Sequence, residues 1–523
     1  MLFNSPVFLF LFLPVTLLVF LTLRQRLPGT LAAMGFLGAA SLFFYAWWEP
    51  RNLMLLTASM VFNFYASRLL VARRKAGRPA GGWLALFVGI NLADLAYFKY
   101  ANFFLDATAA LSGGASPHLT IVLPLAISFF TFQQITFLVD SHRGEAEEPS
   151  FILFVLYVTF FPHLIAGPLV HHREMMPQFR DLRRRDETWR DLSVGLTLLA
   201  IGLLKKTLLA DPMQDWSDRM FGAAAMGAAP SLLEAWLGAV CFALQIYFDF
   251  SGYSDMALGL SRMFGVRLPI NFDSPYKAVN LIDFWRRWHL TLSRFLRDYL
   301  YIPLGGNRHG PWRRHLNLMM VMLLGGLWHG AGWTFVMWGG LHGLYLVFNH
   351  GWLELKQRLG WGGFGFWGRW GGRLLTFALV LVAWVFFRAE HFPAARAVIE
   401  GMIGRNGVVL PAHYATWMGN VGVWLADHGV VFGLPASYGG GMQLVWVGGL
   451  LLFVWLLPNS QELLHGYGPA IEHRLAAPLR GEGRLRLHWR PASWLAAGLG
   501  ATCAWMTIRL LQGQSGEFIY FQF

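Results

Sequence analysis

The sequence predicts an all-α integral membrane protein, and three observations point to it. Hydrophobic residues make up 55% of the chain and charged residues only 14%, too little polar material for an ordinary water-soluble fold. Apolar runs of about 20 residues recur from one end to the other, the length a helix needs to cross a bilayer. The basic residues gather in short loops beside those runs, and the 24 Trp suit interfacial belts and a lined cavity better than a soluble core.

Apolar stretches occupy 6–23, 30–47, 52–67, 83–98, 119–139, 151–170, 193–209, 232–250, 316–328, 333–348, 374–388, 441–457 and 493–512. Some are short or carry Pro, so about ten to twelve full crossings are expected. The first stretch does not read as a cleaved signal, because no small-residue cleavage site follows it and Arg24 and Arg26 come next.

Charge sets the expected orientation. Between Glu49 and Asp94 there is no acid, while Arg68, Arg73, Arg74, Lys75 and Arg78 cluster, which makes that loop cytoplasmic and places the N-terminus outside. Arg173, Arg180, Arg183, Arg184, Arg185 and Arg190 mark 173–190 as cytoplasmic too. His142 and Arg143 point the other flank of the 151–170 stretch to the same side, and Pro162 and Pro168 interrupt it. That segment is expected to be bent or re-entrant, which a membrane tolerates only against protein or a cavity. Arg474, Arg480, Arg484, Arg486 and Arg490 start the last crossing inside, so the C-terminal tail is expected on the extracytoplasmic side.

The net charge of +13 does not imply nucleic acid, since the basic residues sit where they orient the protein and meet anionic lipid. Cys241 and Cys503 both lie in apolar stretches, which argues against a disulfide framework and a Cys-based metal site. His171 and His172 are adjacent without ligand spacing, so no metal site is read there. No stretch is long and polar enough for a separate soluble module. The chain reads as one polytopic domain, 1–523, with a core segment at 270–350 and an aromatic tail at 513–523.

His329 is the leading functional candidate. It lies in Leu-Leu-Gly-Gly-Leu-Trp-His-Gly-Ala-Gly-Trp-Thr (323–334), between two apolar stretches and flanked by Trp328 and Trp333. A histidine at such depth is disfavoured unless it meets water, a partner or a reacting group. Its ordinary pKa near neutrality suits proton transfer, although a histidine bonded to a neighbouring helix would read the same way.

A helix over 283–299 would gather Asp283, Arg286, Arg287, Arg294, Arg297 and Asp298 in one sector roughly 120° wide. The opposite sector would be apolar, with His289 at its edge, looking into the interior. Such a helix is expected at the cytoplasmic interface, its basic face to headgroups or an anionic ligand. Gly305 and Gly306, in Tyr-Ile-Pro-Leu-Gly-Gly-Asn-Arg (301–308), allow a tight turn, but neither a Walker nor a dinucleotide pattern is present. Asp249 and Asp255 end an apolar stretch and are expected to pair with the Arg-rich segment or with Lys205 and Lys206.

Taken together, Asp-Phe-Trp-Arg-Arg-Trp-His (283–289), Pro-Leu-Gly-Gly-Asn-Arg (303–308) and Trp-His-Gly-Ala-Gly-Trp-Thr (328–334) closely resemble the membrane-bound O-acyltransferase (MBOAT) family, in its bacterial alginate O-acetyltransferase type. Ile-Ser-Phe-Phe-Thr-Phe-Gln (127–133), Phe-Pro-His-Leu-Ile-Ala-Gly-Pro (161–168), the 245–255 segment and Asn-Phe-Asp-Ser-Pro-Tyr (271–276) support the resemblance, which is weakest over 393–490.

The resemblance implies a ring of tilted helices around a tunnel. The family's central histidine matches His329 and its second characteristic histidine matches His289. It further implies transfer of an acetyl group from a thioester to a hydroxyl, together with an extracytoplasmic Ser-His-Asp esterase-like (SGNH-type) partner that modifies a polysaccharide. Acetyl-CoA from the cytosol is the expected donor, a substrate rather than a resident cofactor, and no metal is expected. Trp285, Arg286, Arg287, Asn307, Arg308, Trp328 and Trp333 are the expected donor- or substrate-binding residues. A neutral imidazole at His329 would take the hydroxyl's proton as it attacks the thioester carbonyl. The tail Glu-Phe-Ile-Tyr-Phe-Gln-Phe (517–523) resembles that of the small partner protein in related D-alanine-transferring systems, which makes Tyr520 a candidate acyl relay; an interfacial aromatic anchor is the alternative.

Two competing readings remain open from sequence. One is a transporter or flippase of an activated lipid or small solute, which a broken helix and buried polar groups would also suit. The other is a D-alanyl or longer-chain acyltransferase. The expected location is the bacterial inner membrane, with both termini outside. The polymer, whether alginate, cellulose, peptidoglycan or another exopolysaccharide, is left open.

Overall fold

A backbone in lipid must satisfy its own hydrogen bonds, and helices do so within one segment. The computed structural model describes residues 1–27, 30–148, 150–182, 188–362, 365–433, 437, 440–471, 500, 504, 508, 516, 518 and 519. Tyr520, Cys503, Arg183, Arg184, Arg185, the 474–490 basic loop and most of the 493–512 stretch lie outside the described residues.

Among the described residues, six helical runs are long and apolar enough to cross a membrane: Phe8–Arg26, Pro50–Lys75, Gly81–Ser112, Thr188–Ala225, Leu232–Met263 and Gly365–Arg388. Leu31–Ala46 and Gly441–Leu456 are apolar but shorter. Part of the difference from the expected ten to twelve crossings lies in 493–512, mostly outside the described residues, and two further causes act within them. Helices Gly310–His329 and Trp333–Arg358 are long enough, but polar residues such as Arg313, Arg314, Asn349 and Lys356 dilute them. The 151–170 stretch is broken, as its two prolines suggested. Phe151–Thr159 stops at Phe160, the short turn Phe161–Leu164 follows, and helix resumes only at His172–Arg180. A helix of nine residues spans only about 13 Å, less than half a hydrocarbon core.

Helix Leu232–Met263 is the spine. Ser231 and Glu234 close a capping box at its start. Of its most apolar window 72% is buried, against 17% for Gly81–Ser112, so the first is hydrophobic toward protein and the second toward lipid. The N-terminal part of the spine packs in one apolar core with the Gly365–Arg388 helix, and its C-terminal part in another with the first helices of the chain.

Small residues bring backbones together where no larger side chain fits. A Cβ on Gly195 would lie 2.6 Å from the Gly259 carbonyl oxygen, and one on Gly202 2.5 Å from that of Gly252. The seven-residue spacing on both helices repeats the contact two turns on, as membrane helices with small interfacial residues pack. In the Gly310–His329/Trp333–Arg358 hairpin, a Cβ on Gly339 would fall 2.2 Å from the Met322 oxygen. That close crossing sets the residues that surround His329. Buried amides bind other helices: Asn63 Nδ2 donates to Asn91 Oδ1 and to Gln134 Oε1, each at 3.0 Å.

Among the described residues the fold is helical apart from one short strand pair and an isolated bridge between Pro269 and Ile471. Val408–Pro411 and Val430–Gly433 form a two-stranded parallel pair inside 393–440, where the sequence shows no recognisable motif.

Candidate active site

The segment carrying His289 is not the continuous amphipathic helix expected over 283–299. Helix Leu281–Trp285 stops, a turn follows, and Leu290–Leu296 begins again. The reason lies in the backbone pairing. The Asp273 N–H donates to the Arg287 carbonyl and the Leu290 N–H to the Asn271 carbonyl, so residues 287–290 bond across to 271–273. His289 absorbs the change of direction with φ 44° and ψ 54°, a left-handed conformation that a side-chain-bearing residue adopts at a cost of about 1–3 kcal/mol. The break turns the fully buried imidazole into the protein interior.

A hydrogen-bond chain fixes that imidazole. Leu169 N–H donates to Thr291 Oγ1 at 3.0 Å, Thr291 Oγ1 donates to Asn271 Oδ1 at 2.9 Å, and His289 Nδ1 lies 2.9 Å from the same oxygen. Because Asn271 Oδ1 is the acceptor, Nδ1 carries the proton in the neutral ring and Nε2 carries the lone pair. Phe250 closes one side, its ring 4.8 Å from His289.

His329 ends helix Gly310–His329 and is 4% exposed. Its ring centroid is 6.5 Å from that of His289. Trp328 lies 4.8 Å, Trp338 5.1 Å and Phe387 5.3 Å from it, ring to ring. Lys99 secures this helix end: its ammonium donates to the Trp328 carbonyl at 2.6 Å, and Tyr100 donates to that of Leu327 at 2.9 Å. A cation at the last carbonyls of a helix complements its dipole. The structure therefore brings together two buried histidines in an aromatic chamber, each held from behind. Such a pair suits proton abstraction from a hydroxyl at one ring and orientation or polarisation of a carbonyl at the other.

The other sequence candidates separate. Trp328 lines the chamber and also lies 6.3 Å from His289. Trp285 is half-buried and packs on Trp338 at 6.0 Å. Arg287 is taken up in structure, with Nε on Asp283 at 2.8 Å and Nη1 on the Asp273 carbonyl at 3.2 Å. Arg294 grips Glu174 and Arg297 pairs with Asp298, so the expected common basic face does not exist once the helix is broken. Arg286 is exposed. Asn307 and Arg308 are exposed in a turn where Gly305 and Gly306 have φ of 102° and 56°, the tight turn the glycines suggested. Trp333 is 56% exposed and packs on Phe103 rather than on the chamber.

Asp249 and Asp255 take the lysine alternative. Lys205 Nζ is 2.7 Å from Asp255, and Lys206 Nζ is 2.7 Å from Asp249 and 2.9 Å from Asp211. The C-terminal tail reaches this cluster. Phe518 and Ile519 are 1% and 3% exposed, the Ile519 N–H donates to Asp249 Oδ2 at 2.9 Å, and the Phe518 ring meets Tyr253 and the Lys206 ammonium. A purely interfacial anchor does not describe these two residues.

Sequence reasoning missed Asn271, Lys99 and His342. Lys99 follows directly on the apolar stretch read as ending at 98. His342 lies within 333–348 and meets the same criterion that singled out His329. Asn271 stands at the head of the 271–276 motif, but its role toward His289 is made by a contact 18 residues away.

Fold and site define a multi-pass membrane enzyme with a buried pair of histidines. The family model for MBOAT, the membrane-bound O-acyltransferase family, matches residues 82–387, which include both. The chain is 41% identical over 443 residues to the peptidoglycan O-acetyltransferase of Helicobacter pylori, covering 78% of this chain and 81% of the relative. It is 41% identical over 419 residues to a protein of Pseudomonas putida named "probable alginate O-acetylase", covering 77% and 80%. A more distant relative is the teichoic acid D-alanyltransferase of Streptococcus thermophilus, 28% identical over 45% of this chain and 59% of the relative. The chain belongs to the membrane-bound O-acyltransferase family, and it is an acyltransferase.

Proposed function

We propose that the chain is an O-acetyltransferase that passes acetyl from a cytosolic thioester, acetyl-CoA, across the bacterial inner membrane to an extracytoplasmic polysaccharide, acting with an SGNH-type partner. The observation that carries this reading is the buried His289–His329 pair, 6.5 Å apart and walled by aromatic rings. His329 takes the proton of the attacking hydroxyl as its oxygen bonds to the acyl carbon. The carbon–sulfur bond breaks, and the thiolate leaves with that proton. His289, presenting Nε2 because Nδ1 is committed to Asn271, orients the acyl group or the acceptor. The D-alanyl alternative has weaker support, because the O-acetylating relatives match far more of the chain at higher identity. Membership of an acyltransferase family disfavours the transporter reading.

The hydroxyl we assign as first acceptor is that of Tyr520. Its neighbours Phe518 and Ile519 are held on Asp249 and Lys206, and Asp249 precedes Phe250, which packs on His289. An aryl ester is a better acyl donor than an alkyl ester, since phenolate leaves more easily, so a tyrosine suits a relay to the partner. We place both termini and the tail's exit on the extracytoplasmic side, on the basis of the charge asymmetry of the loops. The test is reconstitution in liposomes with acetyl-CoA inside and polymer outside. Polymer acetylation is expected only when the partner is added. Efficient acetylation by this chain alone would overturn the two-protein reading.

A further inference from the structure

Helix Gly441–Leu456 ends just before Pro458, which has no N–H with which to continue it. Asn459 then caps the short helix Ser460–Leu463: its side-chain oxygen accepts from the Glu462 N–H, and the Glu462 carboxylate accepts from the Asn459 N–H. With its oxygen used in the cap, the Asn459 amide nitrogen donates outward, to Asp273 Oδ1 at 3.2 Å and to Ser274 Oγ at 3.0 Å. Ser460 and Gln461 reach the spine instead. Ser460 Oγ and Gln461 Nε2 donate to Asp255 Oδ1 at 2.8 and 3.0 Å, and Lys205 Nζ holds the second carboxylate oxygen at 2.7 Å. Lys277 adds a further tie, its ammonium donating to the Leu457 carbonyl at 2.5 Å.

The segment gripped in this way carries the partner of His289. Asn271 stands just before Asp273 and Ser274, and the backbone of 271–273 bonds to that of 287–290. Each of these two paired stretches has one strained residue. Ser274 has φ 48° and His289 φ 44°, two of the three non-glycine residues with left-handed φ among the described residues. Such a conformation is unfavourable with a side chain and persists only where the surroundings over-determine it. The bonds from 457–461 supply that constraint at Ser274. Asp255, Ser460, Gln461, Asp273 and Ser274 are all buried, so the loss of one bond would leave a polar group unsatisfied away from water. A helix corner needs only its own cap. This one also commits three side chains to joining the spine to 271–274.

We propose that Asn459, Ser460 and Gln461 are positioning residues for acyl transfer: they clamp 271–274 to Asp255 on the spine and so hold Asn271, and through it His289, in place. This rests on the reading that His289 orients a reacting group. The clamp touches neither substrate nor the reacting atoms. It gives a role to a corner of 393–490, the part of the chain in which the sequence shows no recognisable motif.

The test is a double-mutant cycle on the full-length chain with its partner, following acetyl transfer from acetyl-CoA. Asn459→Asp keeps the helix cap but puts an acceptor where a donor faced Asp273. It is expected to lower kcat by about 10-fold, with KM for acetyl-CoA within about twofold. In a His289→Ala background the same substitution is expected to change the residual kcat by less than about twofold, because the group it acts through is gone. A change that merely loosens the fold would cost the same factor in both backgrounds. If Asn459→Asp fails to accumulate, Gln461→Met removes the amide on the other arm while keeping its length, and is read in the same two backgrounds. Equal losses with and without His289, or a wild-type kcat in both Asn459→Asp and Gln461→Met, would overturn the clamp and leave the role of His289 standing. Wild-type activity in His289→Ala alone would overturn both.

Discussion

The backbone N–H of Ile519 donates to Asp249 Oδ2 at 2.9 Å, tying the C-terminal tail to the helix that packs on His289. Lys206 pairs with both Asp211 and Asp249 around this contact, so the tail is held by a paired cluster rather than by an isolated buried carboxylate.

Tyr520→Phe follows directly from this anchorage. The substitution keeps the ring and removes the hydroxyl. Near-complete loss of polymer acetylation is expected, with normal accumulation and membrane insertion. Substantial acetylation by this variant, measured as acetyl content of purified polymer, would eliminate the relay and leave direct transfer at the histidine pair.

His329→Ala and His329→Gln are both expected to abolish acetylation while the protein still inserts. Gln fills the site but cannot act as a base, so general-base catalysis worth about 10²–10⁴-fold is lost in either case. His289→Ala is expected to impair activity strongly but less completely. Wild-type acetyl content in the His329 variants would remove the catalytic assignment, and in His289→Ala it would reduce that residue to a packing role.

Asn271 selects the tautomer of His289. Asn271→Ala is expected to lower kcat by about 10- to 100-fold through loss of a buried hydrogen bond, while Asn271→Asp, which keeps the acceptor oxygen, should lose much less. Steady-state rates combined with thermal unfolding separate this from destabilisation. A fall in melting temperature that fully accounts for the lost rate would remove the orienting role.

A pH effect is expected outside the membrane-spanning helices. His171 faces Tyr299, whose hydroxyl donates to Asp140 Oδ2 at 2.8 Å and lies 3.2 Å from His171 Nδ1. Burial, and then the Arg294 guanidinium, lower its pKa below the ordinary 6.5. The unfolded chain therefore takes up a proton that the folded ring resists. This contribution to stability is full above about pH 6.5 and declines as pH falls below it. Wild type should lose more thermal stability between about pH 7.5 and 5.5 than His171→Asn does. Equal slopes would exclude His171 as the source.

The sequence by itself determined the membrane class and the family, and singled out two histidines that the structure buries side by side, because those readings depend on local facts: runs of apolar residues, loop charge, and motifs with fixed spacing. It also pointed to the broken 151–170 segment, since prolines act where they stand. Tertiary structure decided what depends on distant partners. Helical periodicity over 283–299 was overridden when residues 287–290 paired with 271–273, and the expected Arg face dissolved into separate ion pairs with Asp283, Glu174 and Asp298. Trp328 and Trp333 look equivalent in sequence, yet one lines the chamber and the other faces outward, because the chain turns at Gly330–Gly332 between two helices. Asn271 and Lys99 owe their roles to contacts with residues far along the chain. A motif read one residue at a time carries no record of which groups a buried side chain will meet.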